Sequence, residues 1–224
     1  MKIIEYDGRT LKQALKSAEL ALERRVEEIN AINVFPVPDG DTGINMYLTL
    51  QAATAAVDDL STTSVAEVSA KAARGALLGA RGNSGVILSQ ILRGIAKALE
   101  MKENFTARDF ARALCSASEA AYKAVRQPIE GTIITVIREA QEAALRQAEQ
   151  GANLHQTMKA VVSQAQATVK RTPELLPVLR EAHVVDAGAK GLMYIFQGIR
   201  DFTAHNVRPG RKRLTRLPSA DRAS

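Results

Sequence analysis

The chain has 224 residues, 46% of them hydrophobic and 24% charged, enough for one large buried core, and no apolar run reaches the ~18 residues of a membrane span, so stable membrane insertion is not expected. Its formal charge of +6 is uneven: residues 207–224 hold Arg208, Arg211, Lys212, Arg213, Arg216 and Arg222 against Asp221, so a +5 tail follows a nearly neutral body and no nucleic-acid partner is expected. The single cysteine, Cys115, excludes an internal disulfide, suits a cytoplasmic protein, and reads as a small buried hydrophobe.

The first residues, Met1-Lys-Ile-Ile-Glu-Tyr-Asp7, lack the apolar stretch of a signal peptide. Thr10, with Gln13 three residues on, predicts the N-cap of a helix running to about Ile32, whose apolar stripe is Leu11, Leu15, Ala18, Leu22 and Ile29. A turn rich in proline, glycine and aspartate follows, and then helices over 43–58, 64–79, 84–100, 107–125, 132–149 and 153–171. Thr106 and Asp109 make a capping pair, Pro173 suits the first turn of a short helix near 174–180, and a last helix spans 188–204. No stretch alternates as a strand does. Short connections make neighbours antiparallel, so residues 1–206 are expected to form one all-α domain, a closed bundle of about eight antiparallel helices, followed by a basic linker or disordered tail over 207–224.

The chemistry concentrates at helix boundaries. Asp39 and Asp41 sit one residue apart on a glycine-punctuated turn with no basic residue from Asn30 to Leu50. Two acids so placed repel each other unless a cation lies between them, and magnesium typically takes one or two protein carboxylates with waters and substrate phosphates. An EF-hand loop fails here, because its closing glutamate would be Leu50 and its turn glycine Ile44, while a plain solvated acidic turn is the alternative. Pro36 and Pro38 stiffen the approach.

Three other turns gather glycine and small polar residues at helix starts. Gly79-Ala-Arg-Gly-Asn-Ser-Gly85 opens an apolar helix, with Asn83 and Ser84 as a cap or as donors to a phosphate. It is neither a Walker A loop nor a dinucleotide fingerprint. Glu130-Gly131-Thr132 opens a second helix, and Asp186-Ala-Gly188-Ala-Lys190-Gly191 a third, with Thr132 and Asp186 as plain N-caps or as ligand contacts. Gly188 and Gly191 each weaken a first turn by about 1 kcal/mol, which a close approach of another group would explain. His155, His183 and His205 show no ligand spacing. In a bundle of antiparallel helices alternate loops share one end, so the four turns suit a magnesium–nucleotide complex held by acids, backbone N–H groups and apolar helix tips.

Four stretches together carry a family resemblance: Asn33-Val-Phe-Pro-Val-Pro-Asp-Gly-Asp-Thr-Gly-Ile-Asn-Met46, Gly79-Ala-Arg-Gly-Asn-Ser-Gly-Val-Ile-Leu-Ser-Gln90, Glu130-Gly-Thr-Ile-Ile-Thr-Val136 and Val185-Asp-Ala-Gly-Ala-Lys-Gly-Leu192. They closely resemble the nucleotide-binding domain of the fatty acid kinase A subunit, which is similar to the ADP-binding L subunit of dihydroxyacetone kinase. The resemblance implies a closed barrel of eight antiparallel helices with Mg2+ and ATP or ADP at one end. It assigns Asp39 and Asp41 to the metal and to catalysis, with Thr42 and Asn45 beside them. Asn83, Ser84 and Gly85 would hold phosphate, and Thr132, Asp186 and Gly188 would line the nucleotide. The dihydroxyacetone kinase pattern has a third aspartate upstream, whose nearest match here is Asn33, one residue further away. Arg81 is either a cation for developing charge or a solvated residue. Complete fatty acid kinase A subunits carry a long C-terminal part beyond this domain.

The implied activity is transfer of the γ-phosphoryl group to a fatty acid carboxylate on a separate fatty-acid-binding protein, giving an acyl phosphate for phospholipid metabolism. The L-type subunit of a dihydroxyacetone kinase and a non-catalytic nucleotide-binding module are the alternatives. Homodimer formation stays open.

Overall fold

A computed structural model of the chain describes residues 4–206, with side chains through 204; the basic tail and the side chain of His205 lie outside the described residues. Eight long helices form the body: α1 (Gly8–Glu23), α3 (Thr42–Ala55), α4 (Val65–Leu78), α5 (Gly82–Leu99), α6 (Ala107–Ala124), α7 (Ile133–Glu149), α8 (Leu154–Leu175) and α10 (Ala187–Asn206). Two single-turn helices, α2 (Val26–Asn30) and α9 (Pro177–Glu181), precede the turns that lead into α3 and α10. Each long helix packs on the next, and α10 closes against α1, so the all-α ring is complete. Within it Leu22, Leu50, Leu88, Leu114, Met158 and Leu192 are fully buried. At the end away from the turns described below, Tyr6 and Phe105 exchange backbone hydrogen bonds of 2.8 and 2.9 Å and tie the N-terminus to the α5–α6 connection.

Three local expectations are corrected. The first helix is capped by Asp7 rather than Thr10, because the aspartate Oδ1 accepts both the amide and the hydroxyl of Thr10 at 2.9 Å. That helix ends at Glu23, and α2 is a separate turn beginning at Val26. Pro173 lies inside α8 instead of opening the short helix, which starts at Pro177. A proline at 173 cannot donate to the carbonyl of Val169, and the hydroxyl of Thr172 takes over that role at 2.8 Å. The same hydroxyl accepts the amide of Asp186 at 3.0 Å, linking α8 to the turn before α10. The Thr106–Asp109 pair forms the expected capping box.

Thr172 is completely buried, so Thr172→Val keeps its shape but strands one carbonyl and one amide. A loss of about 2 kcal/mol in unfolding free energy is expected from urea denaturation.

Candidate functional site: a cleft at one end of the barrel

At the acidic turn, two asparagines do the work of a helix cap. Asn30 Oδ1 accepts the amides of Gly43 at 2.8 Å and Ile44 at 3.3 Å, and Asn33 Oδ1 accepts that of Thr42 at 3.0 Å. Asp41 holds the N-cap position of α3 but makes no side-chain capping bond. Its half-buried carboxylate, and the exposed one of Asp39, are therefore not spent on the helix they precede.

The start of α5 is different, for Arg81 is its N-cap and gives it no side-chain capping bond. Asn83, read from sequence as a cap, is the second residue of the helix. The first-turn N–H groups of an 18-residue helix with its positive dipole end are thus left to other acceptors. Gly82 has φ +57°, and a Cβ there would lie 2.4 Å from Asn45 Nδ2; a Cβ at Gly85 would lie 2.4 Å from Thr49 Oγ1. These glycines let α5 lie against α3, a packing duty that their expected role toward phosphate did not include.

Between α6 and α7 the loop is latched by Glu130. Its carboxylate receives Tyr122 OH and Thr135 Oγ1 at 2.7 Å and an Arg138 guanidinium nitrogen at 3.0 Å. Partial burial works to raise the Glu130 pKa, but these donors prevail and hold it below the ordinary range. Thr132 is the N-cap of α7 by backbone conformation, while its hydroxyl donates to the carbonyl of Ile129 at 2.8 Å.

Asp186 caps α10, accepting the Ala189 amide at 2.7 Å. Complete burial pushes its pKa up to about 7, against the backbone N–H groups of Ala189, Ile133 and Gly188. The two glycines after it part company. A Cβ at Gly191 would strike Met46 Sδ at 2.5 Å, whereas at Gly188 it would meet nothing nearer than 3.4 Å. Lys190 of the same motif pairs with Glu28 at 2.7 Å, a bond that, with Tyr194 OH, lowers the Glu28 pKa to about 2.

These turns share one cleft of about 730 Å3. Its walls include Asp39, Asp41, Thr42, Asn83, Ser84, Thr132, Asp186 and Gly188, with Val86, Ile87, Ile133 and Ile134 as apolar surface. Of the expected site residues, Asn45 and Gly85 are not on the walls; both are buried behind the start of α5. Arg81 lines a separate groove with Lys16 and Asp58. Sequence reasoning missed Arg126 and Gln127, which line the cleft from the α6–α7 connection. Nothing in their local spacing marks them; only the placement of that loop does. Asn33 also lines the cleft.

Among the described residues no group of three or more histidine, cysteine, aspartate or glutamate side chains is placed to hold a metal ion, so Asp186 does not join the Asp39–Asp41 pair. Two uncommitted carboxylates beside an uncapped helix start still suit a hard, water-rich cation that arrives with phosphate oxygens. Elsewhere, His155 Nδ1 lies 3.0 Å from Thr203 Oγ1, and His183 is exposed with φ 55°. Cys115 is half-buried where the sequence suggested full burial, and that partial burial raises its thiol pKa. No described helix is long and apolar enough to cross a membrane.

Known proteins fit this picture. Protein YloV of Bacillus subtilis is 44% identical over 198 residues, covering 88% of this chain and 36% of that protein. An uncharacterised Staphylococcus saprophyticus protein is 40% identical over 196 residues, covering 88% and 36%. The chain therefore spans about a third of the length of these relatives. Among solved structures, the native dihydroxyacetone kinase of C. freundii superposes with a TM-score of 0.67 at 20% identity, over 85% of this chain and 34% of that one. The same enzyme in complex with AMP-PNP and Mg2+ gives 0.64 at 19% identity, over 85% and 33%. The DAK2 domain family model matches residues 36–201, a span that contains Asp39, Asp41 and the other three turns on the cleft, and the chain belongs to that family.

Proposed function

We propose that this domain binds Mg·ATP in the cleft and passes the γ-phosphoryl group to a fatty acid carboxylate presented by a separate fatty-acid-binding protein in the cytoplasm. The observation that carries this reading is the convergence of the turns at Asp39–Asp41, Gly82–Ser84, Thr132 and Asp186–Gly188 on a single cleft. Asp39 and Asp41 would hold Mg2+, which when bound neutralises charge on the phosphates. The open first turn of α5 supplies N–H donors for phosphate oxygens at Asn83 and Ser84, with Thr42 close by. Val86, Ile87, Ile133 and Ile134 offer apolar surface for the base, and Gly188 leaves space beside Ile133. Asn45 and Gly85 act from behind by fixing how α5 seats on α3.

The reaction breaks the bond between the γ-phosphorus and its bridging oxygen, forms one from the acyl oxygen to phosphorus, and releases ADP. A fatty acid carboxyl is already ionised at neutral pH, so no proton need be removed. Among the described residues, the cleft walls include no histidine or lysine, and their buried carboxyl is Asp186. The L-type subunit of a dihydroxyacetone kinase, with a sugar hydroxyl as the acceptor, is the second reading. It is favoured by the superposition on the C. freundii enzyme.

The experiment incubates the chain with Mg·ATP and a fatty-acid-loaded binding protein, then traps acyl phosphate with hydroxylamine. Hydroxamate formed in step with ADP is the expected result. Nucleotide binding without hydroxamate would leave a binding module, and phosphate appearing on dihydroxyacetone held by a sugar-binding subunit would favour the second reading.

The glycine pair separates fold from site. Gly188→Ala should unfold within about 1 kcal/mol of the native chain, yet bind Mg·ADP at least tenfold more weakly. Gly191→Ala should instead lose about 1–2 kcal/mol of stability through its clash with Met46. Calorimetry and urea titration of both variants check the contrast.

A further inference from the structure

We infer that Asn33 is a positioning residue, which fixes the loop that presents Asp39 and Asp41 to a divalent cation and does not itself ligate that cation. The inference rests on the Mg·nucleotide reading above. Asn33 is 5% exposed, and both ends of its amide are engaged within the turn: Nδ2 donates to the carbonyl of Val37 at 3.0 Å and Oδ1 accepts the Thr42 amide at 3.0 Å. It therefore bridges the loop on either side of Asp39 and Asp41, fixing the span that carries both acids. An aspartate at an N-cap ordinarily folds back onto the second or third amide of its own helix. At α3 those amides, Gly43 and Ile44, are held by Asn30, and the first, Thr42, by Asn33. Neutral amides thus perform the capping, and the charged group at the cap position stays available.

Asn33→Asp separates a positioning residue from a metal ligand. If Asn33 were a metal ligand, Asn33→Asp would preserve or strengthen cation binding. As a positioning residue it must donate to Val37, which a carboxylate cannot do, so the same change releases the loop and adds a third negative charge.

The test uses the full chain and measures the Mg2+ concentration that half-saturates ADP binding, together with amide exchange at Thr42 in metal-free protein. For Asn33→Asp the half-saturating Mg2+ is expected to rise at least tenfold with helical content unchanged. For Asn33→Ala, which adds no charge, the same rise is expected, accompanied by faster exchange of Thr42 relative to Asn45 before any metal is added. Wild-type or tighter Mg2+ dependence in Asn33→Asp overturns the inference. Unchanged Thr42 exchange in Asn33→Ala also overturns it, and that variant suffices if the aspartate does not fold. A native chain that binds no Mg·ADP would count against the nucleotide reading itself and is a separate outcome.

Discussion

Replacing Asp41 with alanine is expected to lower the affinity for Mg·ATP and Mg·ADP at least about a hundredfold, or ~2.7 kcal/mol, while the helices stay intact. Both halves of that expectation come from the turn. The carboxylate accepts no capping hydrogen bond from α3, whose first amides are served by Asn30 and Asn33. Its removal therefore falls among substitutions that shift stability by no more than about 0.5 kcal/mol. Binding, in contrast, loses half of the donor pair, because among the described residues no third acidic or imidazole side chain stands by to replace it. Asp39→Ala should behave alike. Circular dichroism and calorimetry on the same samples check the pair of outcomes. ATP affinity within about threefold of the native value, ~0.65 kcal/mol, would remove Asp41 from the metal site.

A second large effect concerns Asp186 and pH. Its ordinary pKa of 3.8 is raised to about 7 in the folded chain. Between those values the folded protein keeps a proton that the unfolded chain has released. The associated stability is fully present below about pH 4 and is lost as pH rises through 7. From pH 4.5 to 7.5 the native chain should lose on the order of 3 kcal/mol relative to Asp186→Asn, which does not titrate. Urea denaturation of both proteins at the two pH values measures the difference. Parallel pH profiles would mean that Asp186 is ionised throughout. The proton also matters to the cleft, since a protonated Asp186 places no negative charge on a wall proposed to face phosphates.

Much of this was legible in the sequence because the signals were periodic or chemical. The stripe of Leu11, Leu15, Ala18, Leu22 and Ile29 marked an inward face, and the last four are buried with Leu11 partly so. The four glycine-bearing turns announced one shared end, and the closed ring brings them together. What escaped notice depended on partners distant along the chain. Asn30 read as an ordinary polar residue, and Asn33 as the nearest match to a third aspartate, until α3 is seen to place its amides on them. Gly85 looked like a phosphate contact, yet its missing side chain makes room for Thr49. Pro173 looked like a helix start, and the hydroxyl of Thr172 let α8 run past it. Arg81 shares a motif with Asn83 and Ser84 but faces another groove. Local pattern fixes the type of an element well. Which way each side chain faces is decided by neighbours that no window of sequence contains.

The most direct test of the cleft is a crystal of the full chain grown with AMP-PNP and Mn2+, with the metal located by its anomalous signal. The ion is expected between Asp39 and Asp41, the phosphates at the first turn of α5, and the base against Val86, Ile87, Ile133 and Ile134. Nucleotide bound elsewhere, or an acidic turn left in solvent with no ion while nucleotide occupies the cleft, would contradict it.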